Sequence, residues 1–258
     1  MLRGARRLVG RLARPLLGTL REVETDEPAV ALTFDDGPHP SFTPMLLDVL
    51  ARHGARATFF VVGESVAACP DVLSRLRRDG HCVANHSWDH PVFTRIGWAE
   101  RTRQVLRTQR ALGRRGTRLL RPPWGVQTLR TRIEAALLGF RTVAWSAAPS
   151  DWMRRSVAQL AKDMDDVLKP GSIVLLHDAV FRAHDSGAAE PDRSVMIAAL
   201  DSVLARRTDL RFVTVPELMR AGRPVLVDWR FAEDWMPPGV YADGEPPCSS
   251  TDLTSDAD

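Results

Sequence analysis

Two adjacent carboxylates, Asp35 and Asp36, end an apolar run in TFDDGP (residues 33–38), and two histidines, His86 and His90, stand four apart in NHSWDH (residues 85–90). Like charges side by side repel, so DDGP alone suits a solvated turn, which Gly37 and Pro38 favour. Successive residues leaving a strand point in different directions, however, so one carboxylate could bind a cation while its neighbour handles protons. Histidines at i and i+4 on a helical turn face the same way and can grip one metal ion, although with seven histidines in the chain the spacing is equally open to coincidence. Together, two imidazoles and a carboxylate make a His, His, Asp set with an open position, the pattern of a catalytic rather than a structural zinc site.

Such a set needs a scaffold that brings distant residues together. From residue 28 onward, short apolar runs alternate with longer amphipathic ones. The expected strands are AVALTF (29–34), ATFFVV (57–62), CVAN (82–85), RLL (118–120), RTVAW (141–145), SIVLL (172–176) and RFVTV (211–215). Between them lie helical patterns such as FTPMLLDVLARHG and WAERTRQVLRTQRAL, most closing on a Gly or a basic residue. Roughly seven such alternations predict an α/β fold in a single domain, a parallel sheet covered by helices and either open or closed into a barrel. In both forms function gathers at the C-terminal strand ends. Asp35, Asp36, His86, Arg121, Asp151, Trp152 and His177 all follow a predicted strand.

Composition narrows the classes. A chain of 258 residues, 44% hydrophobic, can bury a large core, and a net charge of +3 is too mild to imply a nucleic-acid partner. Of its 35 basic residues only Lys162 and Lys169 are lysines. Arg3, Arg6, Arg7, Arg11 and Arg14 crowd the N-terminus, opposite an apolar stripe of Leu2, Ala5, Leu8, Val9, Leu12, Leu16 and Leu20. That stripe fits a helix packed on the domain, a frayed tail, or a surface helix making weak peripheral contact with anionic lipid. Residues 1–27 are therefore set apart as a basic amphipathic segment. Residues 223–258 are set apart as an acidic extension rich in Pro, Gly and Ser and expected to be partly disordered. Cys69, Cys82 and Cys248 suggest neither a disulfide framework nor a thiolate metal site. With no apolar run of transmembrane or signal-peptide length, the chain as written is expected to be cytoplasmic, or envelope-associated if a leader precedes it. No G-x-S-x-G, Walker A or G-x-G-x-x-G segment points to serine hydrolase, nucleotidase or dinucleotide chemistry.

In order, TFDDGP, HSWDH, RPPWG, SDW and IVLLHD resemble the motifs of the NodB-type polysaccharide deacetylases, carbohydrate esterase family 4, over about residues 29–215. The resemblance implies a distorted (β/α) barrel of about seven parallel strands, with residues 28–222 as the deacetylase domain. It implies metal-dependent removal of N-acetyl groups from amino sugars in a polysaccharide, oligosaccharide or glycoside. The alternatives are an amide hydrolase of the same fold acting on a small non-polymeric substrate, and a catalytically weakened barrel that only binds sugar. Carried over, Asp36, His86 and His90 would hold one divalent ion, usually zinc, and Asp35, oriented by Arg121, would be the base. The backbone N–H of Trp124 would help hold the oxyanion, Trp152 and Leu175 would form the acetyl-methyl pocket, and His177 would be the general acid. One position departs. The family's D-x-x-D-W reads APSDW here, with Ala148 in place of the first Asp, and on the resemblance that Asp partners the acid histidine. His177 is accordingly expected to lack its carboxylate. His39, His53, His81 and His184 receive no role.

Overall fold

The structure is a computed structural model that describes residues 17–180 and 191–229. In chain order its elements are β1 (Thr19–Glu24), β2 (Ala29–Asp35), α1 (Phe42–Arg52), β3 (Thr58–Val61), α2 (Gly63–Ala68), α3 (Pro70–Arg78), β4 (Cys82–Asn85) and α4 (Trp98–Leu112). There follow β5 (Leu119–Leu120), α5 (Leu129–Leu137), β6 (Arg141–Thr142), α6 (Val157–Val167), β7 (Ile173–His177), α7 (Ser194–Arg206), β8 (Arg211–Val213), α8 (Val215–Arg220) and β9 (Arg223–Val227). A seven-stranded parallel sheet runs β6-β5-β4-β3-β2-β7, with β8 also paired to β2. Every strand expected from the sequence is present, several of them shorter than their apolar runs.

The sheet curls until its edges nearly meet. β1 lies in the gap, bridging Val143 through Leu20 and Ser172 through Glu22, while Ala147 reaches Val174 directly. β9 then pairs antiparallel with β1. The result is a distorted (β/α) barrel. Leu20 therefore belongs to a strand rather than to the helical stripe read in residues 1–27. Its spacing from Leu16 suits a helix, but the open edges of β6 and β7 offer backbone partners that a strand can use and a helix cannot. The rest of that stripe, Leu2 to Leu16, and the membrane contact expected from it lie outside the described residues. β9 likewise falls at the start of the segment set apart as an acidic extension, of which residues 230–258 are outside the description. No helix among the described residues is long and apolar enough to cross a membrane.

Period-two alternation sorts the side chains between two cores. On β2, Val30, Leu32 and Phe34 point outward and pack with Leu46, Leu50, Leu200 and other helix residues, with the Phe34 and Phe59 rings stacked 5.0 Å apart. Inward, Ala29 and Ala31 join Leu20, Phe60, Ala84, Val143 and Ile173 in a second cluster that fills the barrel. Small residues low in the barrel leave room. Farther along the same inward face of β2 come Thr33 and then Asp35, both buried. Apolar filling thus gives way to polar groups at the C-terminal end. Phe34→Ala would cost roughly 3–5 kcal/mol, because the rigid sheet-helix layer can collapse only partly into the space left.

Candidate active site

Asp35 is the last residue of β2 and keeps strand geometry, so its carboxylate continues the inward row. Asp36 adopts a left-handed backbone, φ 74°, a conformation that Asp tolerates better than most residues. This change of backbone sends the two adjacent carboxylates to different partners. Gly37 follows because nothing larger fits: a Cβ there would lie 2.1 Å from a carboxylate oxygen of Asp178. The carbonyl of Gly37 accepts from the Val62 N–H at 2.9 Å, tying the turn to the end of β3.

Arg121, fully buried just past β5, donates from Nη1 to Asp35 Oδ1 at 2.7 Å and to Thr33 Oγ1 at 2.8 Å. Its Nη2 donates to the Ala144 carbonyl at 2.9 Å, and the guanidinium lies 4.1 Å over the Phe60 ring. Burial lowers the Arg121 pKa, against the opposing pull of the Asp35 carboxylate. Such an enclosed cation costs several kcal/mol to desolvate unless it is paired, and Asp35 supplies the pair.

Asp36, His86 and His90 are buried together, with one ligand atom from each within 4.8 Å of the others. His86 Nε2 is 3.4 Å and His90 Nε2 3.2 Å from Asp36 Oδ1, whereas His86 Nε2 is 3.7 Å from Asp35 Oδ2. His86 Nδ1 donates to the Arg121 carbonyl at 2.8 Å, because a carbonyl can only accept. That bond fixes the tautomer and leaves the Nε2 lone pair directed at Asp36. Burial works against charge on Asp36, yet the His90 and His86 imidazoles outweigh it and hold the carboxyl well below the usual range. Burial also lowers the pKa of His90, against the pull of Asp36, favouring the neutral ring that a metal needs. One anionic carboxylate and two imidazoles in a dry, preformed cluster fit a divalent ion.

Residues 86–90 do not form the helical turn read from the i, i+4 spacing. They form a loop with left-handed residues at Ser87 and His90, and the two imidazole centroids come within 4.9 Å all the same. The loop is held from outside. Gln104 of α4 accepts from the Trp88 and Asp89 N–H groups at 2.9 and 3.1 Å and donates to Asp89 Oδ1 at 2.8 Å, so Asp89 points away from the cluster. Trp124, also left-handed at φ 62°, places its ring 4.9 Å from that of His90, in a turn where Gly125 packs against the Trp145 ring.

On the neighbouring strand stands His177, the last residue of β7, which pairs in register with Asp35. Leu175 lies two residues before it on the same strand face, and the Trp152 ring meets the His177 ring edge-on at 5.4 Å. His177 does not lack a carboxylate. Its Nδ1 lies 2.9 Å from Asp151 Oδ1, and its backbone N–H donates to Asp151 Oδ2 at 2.9 Å. The expectation built on Ala148 is thus corrected: the Asp beside the tryptophan in SDW is the partner. The turn at Ser150, φ 55°, brings it under β7. Burial opposes charge on His177, but Asp151 outweighs it and raises the pKa above the ordinary imidazole value, with Asp36 and Asp35 adding to the effect. With Asp151 in this place, Ala148 no longer argues for a weakened barrel.

Several site residues carry no role in the sequence reading. Arg193, next to α7, is buried and donates from Nε to the His177 carbonyl and from Nη1 to the Asp151 carbonyl, both at 3.1 Å; its Nη2 contacts Asp151 Oδ2. Asp178 follows His177, and burial pushes its carboxyl up to about 7. It accepts from Thr43 Oγ1 at 2.5 Å, and that hydroxyl accepts from the His39 N–H at 2.7 Å, so the end of β7 is tied to the turn after β2. Asp178 stands inside the quoted IVLLHD and could have been found there. Arg193 and Gln104 carry no local sign. His81, whose Nδ1 accepts from the Ala57 N–H at 3.1 Å and whose pKa burial lowers to about 4, is a core histidine, while His53 pairs with Asp201 at the surface.

Known proteins resemble this chain in sequence and in fold. Residues 22–143 match the polysaccharide deacetylase family model. A chitooligosaccharide deacetylase from Sinorhizobium fredii is 36% identical over 76% of this chain and 94% of its own. The peptidoglycan-N-acetylglucosamine deacetylase PgdA of Listeria monocytogenes is 37% identical over 73% of this chain and 38% of its own. Among solved structures, the Bc1960 peptidoglycan N-acetylglucosamine deacetylase superposes with a TM-score of 0.70 at 28% identity, covering 80% of this chain and 94% of that one. With a relative above 30% identity spanning three quarters of its length, and with this barrel and these strand-end residues, the chain belongs to the polysaccharide deacetylases of carbohydrate esterase family 4.

Proposed function

We propose that this protein is a metal-dependent N-deacetylase of N-acetylated amino sugars, with one divalent ion, zinc by its donor set, held by Asp36, His86 and His90. The observation that carries this reading is the placement of that buried cluster between an arginine-held carboxylate, Asp35, and a carboxylate-held imidazole, His177. An amide is a poor electrophile and its amine a poor leaving group, so hydrolysis needs an activated water, a sink for negative charge and a proton donor. Bound in the cluster, the ion would polarise the acetyl carbonyl and lower the pKa of a water toward about 7.

The chain's own residues supply the rest. Asp35, oriented by Arg121, takes a proton from the attacking water, and His177 gives one from Nε2 to the departing nitrogen, so that acetate and a free amine leave. Asp151, bonded to Nδ1, fixes the ring so that Nε2 is the working atom. The Trp124 N–H helps hold the developing oxyanion, and Trp152 with Leu175 takes the methyl group. The relatives named for chitooligosaccharide and peptidoglycan support N-acetylglucosamine units as substrate.

The test is acetate release from N-acetylglucosamine oligomers and from small N-acetylated glycosides, with chelator and after zinc is restored. Release abolished by chelation and recovered with zinc is the expected outcome. Release that survives complete metal removal, or none from any N-acetyl substrate, would overturn the proposal.

A further inference from the structure

Arg193 is 4% exposed, a cation almost excluded from water. Among the described residues its three nitrogens reach two: the carboxylate and carbonyl of Asp151, and the carbonyl of His177. Arg101, also buried, behaves differently. It spreads its donors over Glu134, Phe93 and Ile96, cross-linking α4, α5 and a loop as a scaffold arginine does. The planar fork of Arg193 instead closes a ring through the turn at Asp151 and the end of β7, a geometry that a lysine ammonium cannot reproduce.

We propose that Arg193 is a positioning residue for proton delivery: it locks Asp151 against His177 so that the imidazole stays oriented toward the leaving nitrogen. The inference rests on reading His177 as the general acid. Asp151 Oδ2 accepts from both Arg193 and the His177 N–H, while Oδ1 faces Nδ1. Without the guanidinium, the carboxylate has one fewer bond to hold its plane, and the Asp151 turn is no longer tied to β7 through that side chain. The imidazole could then rotate away from the productive direction. Asp35 and the metal ligands sit on other strand ends and would be left in place.

The experiment compares two acetyl donors with opposite needs for protonation, an N-acetylglucosamine oligomer and 4-nitrophenyl acetate, whose phenolate departs without a proton. Arg193→Ala should lose about 10- to 100-fold in kcat/KM on the amide, the usual scale for a supporting partner, while the aryl ester is affected far less. Added guanidinium should restore part of the amide rate. Equal losses on both substrates with no rescue would make Arg193 a scaffold residue, and an unchanged amide rate would remove it from the mechanism. Should the alanine variant fail to fold, Arg193→Lys keeps the charge and loses the fork. In that variant the proton resonance of the His177 Nδ1–H should exchange with water faster than in the unmodified protein, and an unaltered resonance would overturn the proposal. The resonance also separates the two readings: an unmodified protein inactive on both donors sinks the deacetylase reading on which the acid role depends, yet the resonance still decides whether Arg193 holds the ring.

Discussion

Two buried arginines each grip a carboxylate, Arg121 on Asp35 and Arg193 on Asp151, and on the proposed mechanism the pairs serve opposite ends of one reaction. Arg121 reaches Asp35 from a strand end within the sheet and touches one of its oxygens. That carboxylate belongs to the residue next to Asp36, a member of the candidate metal-binding cluster. Arg193 arrives from beside a helix, and its carboxylate is spent on an imidazole. The first arrangement leaves a carboxylate oxygen to accept a proton. The second uses the carboxylate to keep a proton on its neighbour. On the proposed mechanism, one pairing device serves base and acid according to what occupies the carboxylate's other oxygen.

Breaking the cluster between the two pairs should have the largest effect. His86→Ala removes a ligand and should reduce bound zinc to trace levels and acetate release to background, as read by elemental analysis alongside turnover. Breaking the acid side comes next. Asp151 raises the pKa of His177 against the effect of burial, so with His177 as the acid the alkaline limb of kcat/KM should lie above the ordinary imidazole value. Asp151→Asn should move that limb to lower pH and cost about 10²-fold in rate, the lower end of what a general acid contributes. The stability linkage has the same sign. Stabilisation from the pair is fully present below the unfolded pKa of about 6.5 and is lost as pH rises through the folded value, so the variant should show a flatter Tm against pH above neutrality.

Smaller changes sharpen the contrast. Gln104→Ala leaves all three ligands but releases the loop carrying His86 and His90, and zinc affinity by competition titration should fall about 10-fold, the scale expected of a supporting partner. The smallest effect should come from Ala148→Asp. Because Asp151 already occupies Nδ1 of His177, a carboxylate restored at 148 should leave the alkaline limb where it is. A clear upward shift would show that the Asp151 pairing is incomplete in solution.

The reading from sequence matches the structure where position along a strand decides where a residue lies. Asp35, Arg121 and His177 stand at or just beyond the ends of short apolar runs, and a period of two carries each to one end of one barrel. It erred where direction depends on a turn. Nothing local tells which carboxylate of a D-x-x-D-W pattern faces the histidine, and the left-handed Ser150 that aims Asp151 is not a residue type that announces such a backbone. The i, i+4 spacing of His86 and His90 led to the right cluster through the wrong conformation, since a loop pinned by Gln104 does what a helical turn would have done. Arg193 and Gln104 act from elements far along the chain, and β1 read as helix because its real partners, the residues flanking β6 and β7, meet it only once the barrel has formed.

The division of labour between the adjacent carboxylates is tested most directly by measuring zinc content and acetate release side by side in Asp35→Asn and Asp36→Asn. Asp35→Asn should keep its zinc and lose about 10² to 10⁴ in kcat/KM on an N-acetylglucosamine oligomer, because the cluster survives while the proton acceptor is gone. Asp36→Asn should lose the zinc itself. Near-normal turnover by zinc-loaded Asp35→Asn, or full zinc occupancy in Asp36→Asn, would contradict the assignment of base and ligand to these two residues.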